Sequence, residues 1–124
     1  MSGKKKSILI VDDDIDMCKT LKGIFEQKGY DTEIASNGLS AVKTIEKKQY
    51  DIVLADLIMD KMNGAELLGR VKELAPKSLP YIMTAYRREE LLKEAEKNGC
   101  KKVFVKPFDV EELIGIFETE LEKN

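Results

Sequence analysis

The chain has 124 residues, 43% of them hydrophobic and 35% charged, with a net charge of -2. That balance excludes a disordered chain and fits one globular domain with a single core and a highly charged exterior. It leaves no electrostatic footprint for nucleic acid and no apolar run long enough to span a bilayer, and the absence of histidine removes the commonest acid–base group and metal ligand.

Residues 1–6 read as a basic tail, in which Lys4, Lys5 and Lys6 form the one short basic run. That run before "ILIV" mimics the opening of a secretion signal, but aspartates cut the apolar segment short of the roughly 7 residues such a signal needs. "SILIV" (7–11) is short and apolar, as buried parallel strands are. It runs directly into Asp12, Asp13, Asp14 and Asp16, whose repulsion and desolvation call for a cation, a helix N-terminus or solvent. Asp14 and Asp16 suit the start of a helix that carries Met17, Leu21, Ile24 and Phe25 on one face and stops at Gly29.

"YDTEIA" (30–35) alternates, which predicts an edge strand with one wet face. A helix marked by Val42 and Ile45 follows, then the apolar run "DIVLA" (51–55) leading to Asp56, then a helix with Leu67, Leu68 and Val71. "YIMT" (81–84), a helix with Leu91 and Ala95, "KVFV" (102–105) leading to Lys106, and a helix with Val110, Leu113, Ile114, Phe117 and Leu121 complete the chain. Cys18 and Cys100 are too far apart for a metal or redox motif and read as reduced thiols of a cytoplasmic protein.

Strict alternation over 7–124, with no linker or repeat, predicts one α/β domain: a doubly wound, five-stranded parallel sheet with five helices. The alternating second strand belongs at the edge, which gives the order 2-1-3-4-5 of the flavodoxin-like arrangement.

Ligands of such sheets bind beyond the carboxyl ends of the strands, where the strand order reverses. That edge collects Asp12, Asp13, Asp56, Thr84 and Lys106. Any one of them has an ordinary structural role as a cap, a strand-end hydroxyl or a surface charge. Together they form a hard oxygen site suited to Mg²⁺ or Mn²⁺, with an oxygen of Asp56 left to attack phosphorus and Thr84 and Lys106 to bind the oxygens of the incoming group.

Two rival readings of the aspartates remain. A calcium-binding EF loop counted from Asp12 fails, because its sixth residue is Met17 rather than Gly and its twelfth is Gly23 rather than Glu. Asp12 and Asp14 also resemble the D-x-D of haloacid dehalogenase-like phosphohydrolases, with Thr84 and Lys106 in later motifs. That enzyme reading leaves Asp56 without a task and has no room for a further acidic strand end after Lys106.

"ILIVDDD", "YDIVLADLIMDKMNG", "YIMTA" and "VFVKPF" resemble, in order and spacing, the receiver domain of two-component response regulators over nearly the whole chain. The resemblance implies that Asp56 is the phosphoacceptor, that Asp13, Asp56 and the Ile58 carbonyl bind Mg²⁺ directly, and that Asp12 assists through water. It further implies Thr84 as switch hydroxyl, Lys106 as phosphate-binding lysine and a cis Lys106–Pro107 bond. The phosphoryl donor is then a sensor histidine kinase or a histidine phosphotransfer protein, and no separate substrate turnover, nucleic acid or membrane is expected. Output is by docking to a partner, as a stand-alone or excised receiver. A pseudo-receiver that binds partners without phosphorylation is the non-enzymatic alternative.

The chain departs from the family pattern at Asp60, where Pro is common, and at Val103, where an aromatic residue usually reports the state of the threonine. Ala85 after Thr84 leaves the approach open. Ile58 and Tyr86 occupy the two positions that influence hydrolysis, and an isoleucine cannot orient water, so slow self-dephosphorylation is expected.

Overall fold

In the computed structural model, which describes residues 5–123, ten elements alternate from end to end. They are β1 (Ser7–Val11), α1 (Ile15–Gln27), β2 (Asp31–Ala35), α2 (Gly38–Lys47) and β3 (Ile52–Asp56), followed by α3 (Gly64–Leu74), β4 (Leu79–Thr84), α4 (Glu89–Lys97), β5 (Val103–Val105) and α5 (Val110–Glu122). All strand pairs are parallel, in the order β2-β1-β3-β4-β5, as the alternation predicts. Of the basic tail, residues 1–4 lie outside the described residues; the Lys6 carbonyl accepts the Asp31 N–H at 2.9 Å and so extends the β1–β2 pairing by one step.

The central strands are apolar throughout because successive side chains enter opposite faces, and both faces are covered. Ile8, Ile10, Ile52, Leu54 and Tyr81 pack with Leu21 and Phe25 of α1 and Leu113 and Phe117 of α5. Leu9, Val53, Ala55 and Ile82 pack with Val42 of α2, Leu67 and Val71 of α3 and Ala95 of α4. Cys18 is fully buried in the first layer, where burial pushes its thiol up to about 12, so it packs as an inert apolar group.

Three local departures from the sequence expectation have physical causes. β5 holds the edge position that the order 2-1-3-4-5 gives it, but it was expected over 102–105 as a buried strand and is only three residues long, with Val105 42% exposed. A short apolar run has the same pattern at an edge as in the middle of a sheet. β4 begins at Leu79 and contains Pro80 instead of being bounded by it. The Leu79 N–H donates to Asp51 toward β3, so the Pro80 nitrogen faces β5, which starts only opposite Ile82; no ladder bond is lost there. β3 is shifted by one residue, which makes Asp56 part of the strand itself.

Four helices start with a side-chain cap: Asp14 on α1, Asn37 on α2, Asn63 with Glu66 in a reciprocal capping box on α3, and Asp109 on α5. α4 is the exception. Arg88 offers no cap, residues 85–90 are exposed, and Ala95 is its one fully buried residue. Among the described residues no helix is long and apolar enough to cross a membrane.

Gly23 in α1 and Gly115 in α5 are exposed, and a methyl group at either would meet nothing within 4 Å. Each Gly→Ala change is therefore expected to stabilise the fold by about 0.5–1 kcal/mol, read from the urea midpoint at unchanged m-value. A lower midpoint for either variant would contradict this account of the outer helix faces.

Candidate functional site

The carboxyl ends of β1 and β3 bring Asp12, Asp13 and Asp56 together, each offering an oxygen within 4.8 Å of the others. Asp12 is 1% exposed and Asp56 9%, whereas Asp13 is open to solvent. The Lys106 ammonium reaches across from the end of β5 to Asp12 Oδ2 at 2.8 Å and Asp56 Oδ2 at 3.5 Å. Two buried carboxylates thus share one half-buried cation while the third faces water. The remaining oxygen of Asp12 accepts the Asp14 N–H at 3.0 Å, and among the described residues Asp56 Oδ1 has only the Ile58 N–H at 3.4 Å.

The charge states follow from this arrangement. Burial pushes the Asp56 carboxyl above the usual carboxylate range and repulsion from Asp12 adds to that, with Lys106 opposing. For Lys106, burial pulls downward but is outweighed by its bonds to Asp12 and Asp56, which hold the ammonium above its ordinary value. As it stands the cluster carries more negative charge than one lysine neutralises.

The backbone beneath Asp56 depends on Gly64. The Gly64 N–H donates to the Leu57 carbonyl at 2.8 Å, and a Cβ at this position would fall on the Asp56 carbonyl oxygen and lie 2.9 Å from Leu57 Cα. Only glycine allows α3 to start so close to the end of β3. Between them the chain turns through Lys61, whose φ of 68° puts a non-glycine residue in the left-handed region. Met59 and Ile58 are partly buried against the core, and Asp60 is exposed.

Thr84 is fully buried at the end of β4, where its hydroxyl donates to the Tyr86 carbonyl at 2.7 Å and accepts the Tyr86 N–H at 3.1 Å. The hydroxyl is thus engaged with its own loop. The Lys106 N–H donates to the Thr84 carbonyl at 2.8 Å, which joins the β4 and β5 ends, and Lys106–Pro107 is cis. Val103 is half-buried against the α3–α4 side of the core, whereas Tyr86 stands 69% exposed.

The edge predicted from the sequence therefore assembles Asp12, Asp13, Asp56 and Lys106, with Thr84 adjacent and the Ile58 backbone bonded to Asp56. Two features escaped sequence reasoning. The close approach at Gly64 had a signal in the "NG" that opens α3, but the Thr84–Tyr86 pairing had none. The D-x-D enzyme reading loses its second aspartate, because Asp14 Oδ1 accepts the Met17 N–H at 3.1 Å as the cap of α1 while Asp13 takes its place in the cluster.

Comparison with known proteins bears on the same residues. The sequence pattern described as the response regulator receiver domain matches residues 8–118. Sporulation initiation phosphotransferase F of Bacillus subtilis is 37% identical over 108 residues, covering 87% of this chain and 87% of that protein. The transcriptional regulatory protein ZraR of Klebsiella oxytoca is 39% identical over 113 residues, covering 91% of this chain; the chain spans about a quarter (26%) of that relative's length. The crystal structure of a CheY-like receiver domain protein from Methanospirillum hungatei superposes with a TM-score of 0.93 at 29% identity, covering 97% of this chain and 96% of that one. With four strand ends meeting around an acidic cluster and the family pattern spanning nearly all of them, the chain belongs to the receiver domains of two-component response regulators.

Proposed function

We propose that Asp56 is the phosphoacceptor of this receiver, taking a phosphoryl group from a phosphohistidine on a separate kinase or phosphotransfer protein. The observation that carries the reading is the pairing of Asp56 with Lys106 inside an acidic cluster that has too few cations. A carboxylate oxygen of Asp56 forms the new O–P bond as the donor's N–P bond breaks, and the donor imidazole leaves and takes up a proton from solvent. Lys106, already 3.5 Å from Asp56, stays in place to neutralise the added phosphoryl oxygens. The chain turns over no separate substrate on this reading.

The donor set fits a hard divalent ion, Mg²⁺ or Mn²⁺, held by Asp13, Asp56 and the Ile58 carbonyl, with Asp12 acting through water. When bound, such an ion offsets the carboxylate repulsion and the charge developing on phosphorus. The domain so defined runs over 7–124, behind a basic tail at 1–6.

Thr84 is the switch hydroxyl on this reading. To bond a phosphoryl oxygen on Asp56 it must give up its donor bond to the Tyr86 carbonyl, which loosens the loop leading into α4. α4 is the one helix without a side-chain cap, so its start is the segment most easily moved. With Val103 in place of an aromatic, this loop carries the signal to a docking partner.

Three outcomes test the assignment. Mass spectrometry after incubation with acetyl phosphate and Mg²⁺ is expected to show one added phosphate on the parent and none on Asp56→Asn; no adduct on the parent under any divalent ion would leave only a partner-binding pseudo-receiver. The phosphorylated form is expected to outlast by about tenfold that of an Ile58→Asn variant, since a partly buried isoleucine cannot orient an attacking water. Equal half-lives would remove Ile58 from the account.

The third concerns stability without metal. A carboxyl with a raised folded pKa adds stability below its unfolded value, and that contribution is lost as pH rises through the folded value; at neutral pH ionised Asp56 is therefore a cost. Asp56→Asn is expected to raise the metal-free melting temperature by about 4 °C, the scale of about 1 kcal/mol in a domain of this size, and to reduce the further stabilisation given by Mg²⁺. A lower melting temperature for the variant would count against a strained acidic cluster.

A further inference from the structure

α4 is held differently at its two ends. At its start Arg88 supplies no side-chain cap, residues 85–90 are exposed, and Leu91 and Leu92 are only partly buried. Its end is closed by a Schellman turn, in which Gly99, at φ 93°, donates its N–H to the Glu96 carbonyl and the Cys100 N–H reaches the Ala95 carbonyl, both at 3.0 Å. Carbonyls that a helix terminus leaves without partners are thus satisfied at this end.

The same end is tied to α3. Asn98 Nδ2 donates to the Ala65 carbonyl at 2.9 Å, and Lys72 Nζ donates to the Lys97 carbonyl at 3.4 Å. The Asn98 tie needs a notch. Gly69 lies one turn beyond Ala65, and a Cβ there would stand 3.1 Å from Asn98 Nδ2 and 3.5 Å from its Cγ. Ala65 itself follows Gly64, the residue packed on the Asp56 carbonyl, so the tie lands on the turn of α3 that backs the end of β3. Ala95, the one fully buried residue of α4, sits three residues before Asn98, which puts the deepest contact and the side-chain tie at one end.

We infer that α4 is a lever with its fulcrum at Asn98: the amide in the Gly69 notch holds residues 95–100 on α3, while the loop after Thr84 moves the start of the helix. The Thr84 hydroxyl bonds both the N–H and the carbonyl of Tyr86, so it is the tie that holds this loop in its resting position. The helix has nine residues and is about 13 Å long, so a tilt of about 10° about its end carries its start by about 2 Å.

The inference rests on how α4 is packed, independently of the phosphoacceptor reading, and is tested on the unphosphorylated, metal-free protein. Amide hydrogen exchange is followed by nuclear magnetic resonance in the parent, Thr84→Val, Asn98→Ala and the double variant. Thr84→Val keeps the buried volume and removes the hydroxyl; it is expected to speed exchange at residues 92–94 at least about tenfold and to leave 98–100 at parent rates. Asn98→Ala is expected to speed exchange at 98–100 by a similar factor with the sheet unchanged. In the double variant the effect of Thr84→Val is expected to spread along the whole helix, which loss of a merely structural contact would not produce.

The notch has its own readout. Gly69→Ala is expected to raise the urea midpoint in the Asn98→Ala background, as alanine for glycine does within a helix, and to raise it less or lower it in the parent. Equal acceleration at both ends of α4 in Thr84→Val, or parent rates at 98–100 in Asn98→Ala, would overturn the lever. Equal effects of Gly69→Ala in the two backgrounds would overturn the notch.

Discussion

The bridge from Lys106 to Asp12 and Asp56 is the interaction around which the acidic edge is built. Two carboxylates this deeply buried repel each other and lose hydration, and one ammonium within 2.8 and 3.5 Å repays part of that cost. The bridge joins the ends of β1, β3 and β5, and so links an edge strand to two strands that it does not pair with in the sheet. The balance is deliberately incomplete in physical terms: one cation among three aspartates leaves a site that gains from a further positive charge.

Support for that edge comes from underneath. β3 ends on Asp56 and α3 begins eight residues later, packed so close that position 64 accepts no side chain. This connection turns through Lys61 in the left-handed region and closes on the capping box of Asn63 and Glu66. On the far side of the site the opposite holds. Thr84 is tied to its own loop, the next residues are exposed, and α4 starts without a cap. On the reading proposed for Asp56, a closely packed carboxylate beside a helix start without a cap suits a domain that converts a local charge change into altered docking.

α3 serves both sides of this arrangement. Its first turn lies against Asp56, and the same turn accepts the Asn98 side chain, so the end of β3 and the end of α4 share one support. The start of α4 has no side-chain cap to match it.

The sequence by itself determined the alternation of strand and helix, the edge position of β2 and the residues that meet at the acidic edge. These are legible because burial on both faces demands continuous apolar runs, one wet face demands alternation, and residues at strand ends inherit a common edge from the topology. Asp14 as a cap was readable for the same local reason. Only the tertiary structure decided that β5, the edge strand of the predicted order, is short and half-exposed, because "KVFV" has the same pattern whether covered or not. It alone decided that Pro80 lies within β4, since the absent N–H matters only relative to where β5 begins. The Thr84–Tyr86 pairing and the tie from Asn98 to α3 were equally invisible: one depends on loop geometry that no side-chain pattern encodes, and the other on Asn98 meeting Ala65 and Gly69, distant in sequence, which happens only after the chain has folded.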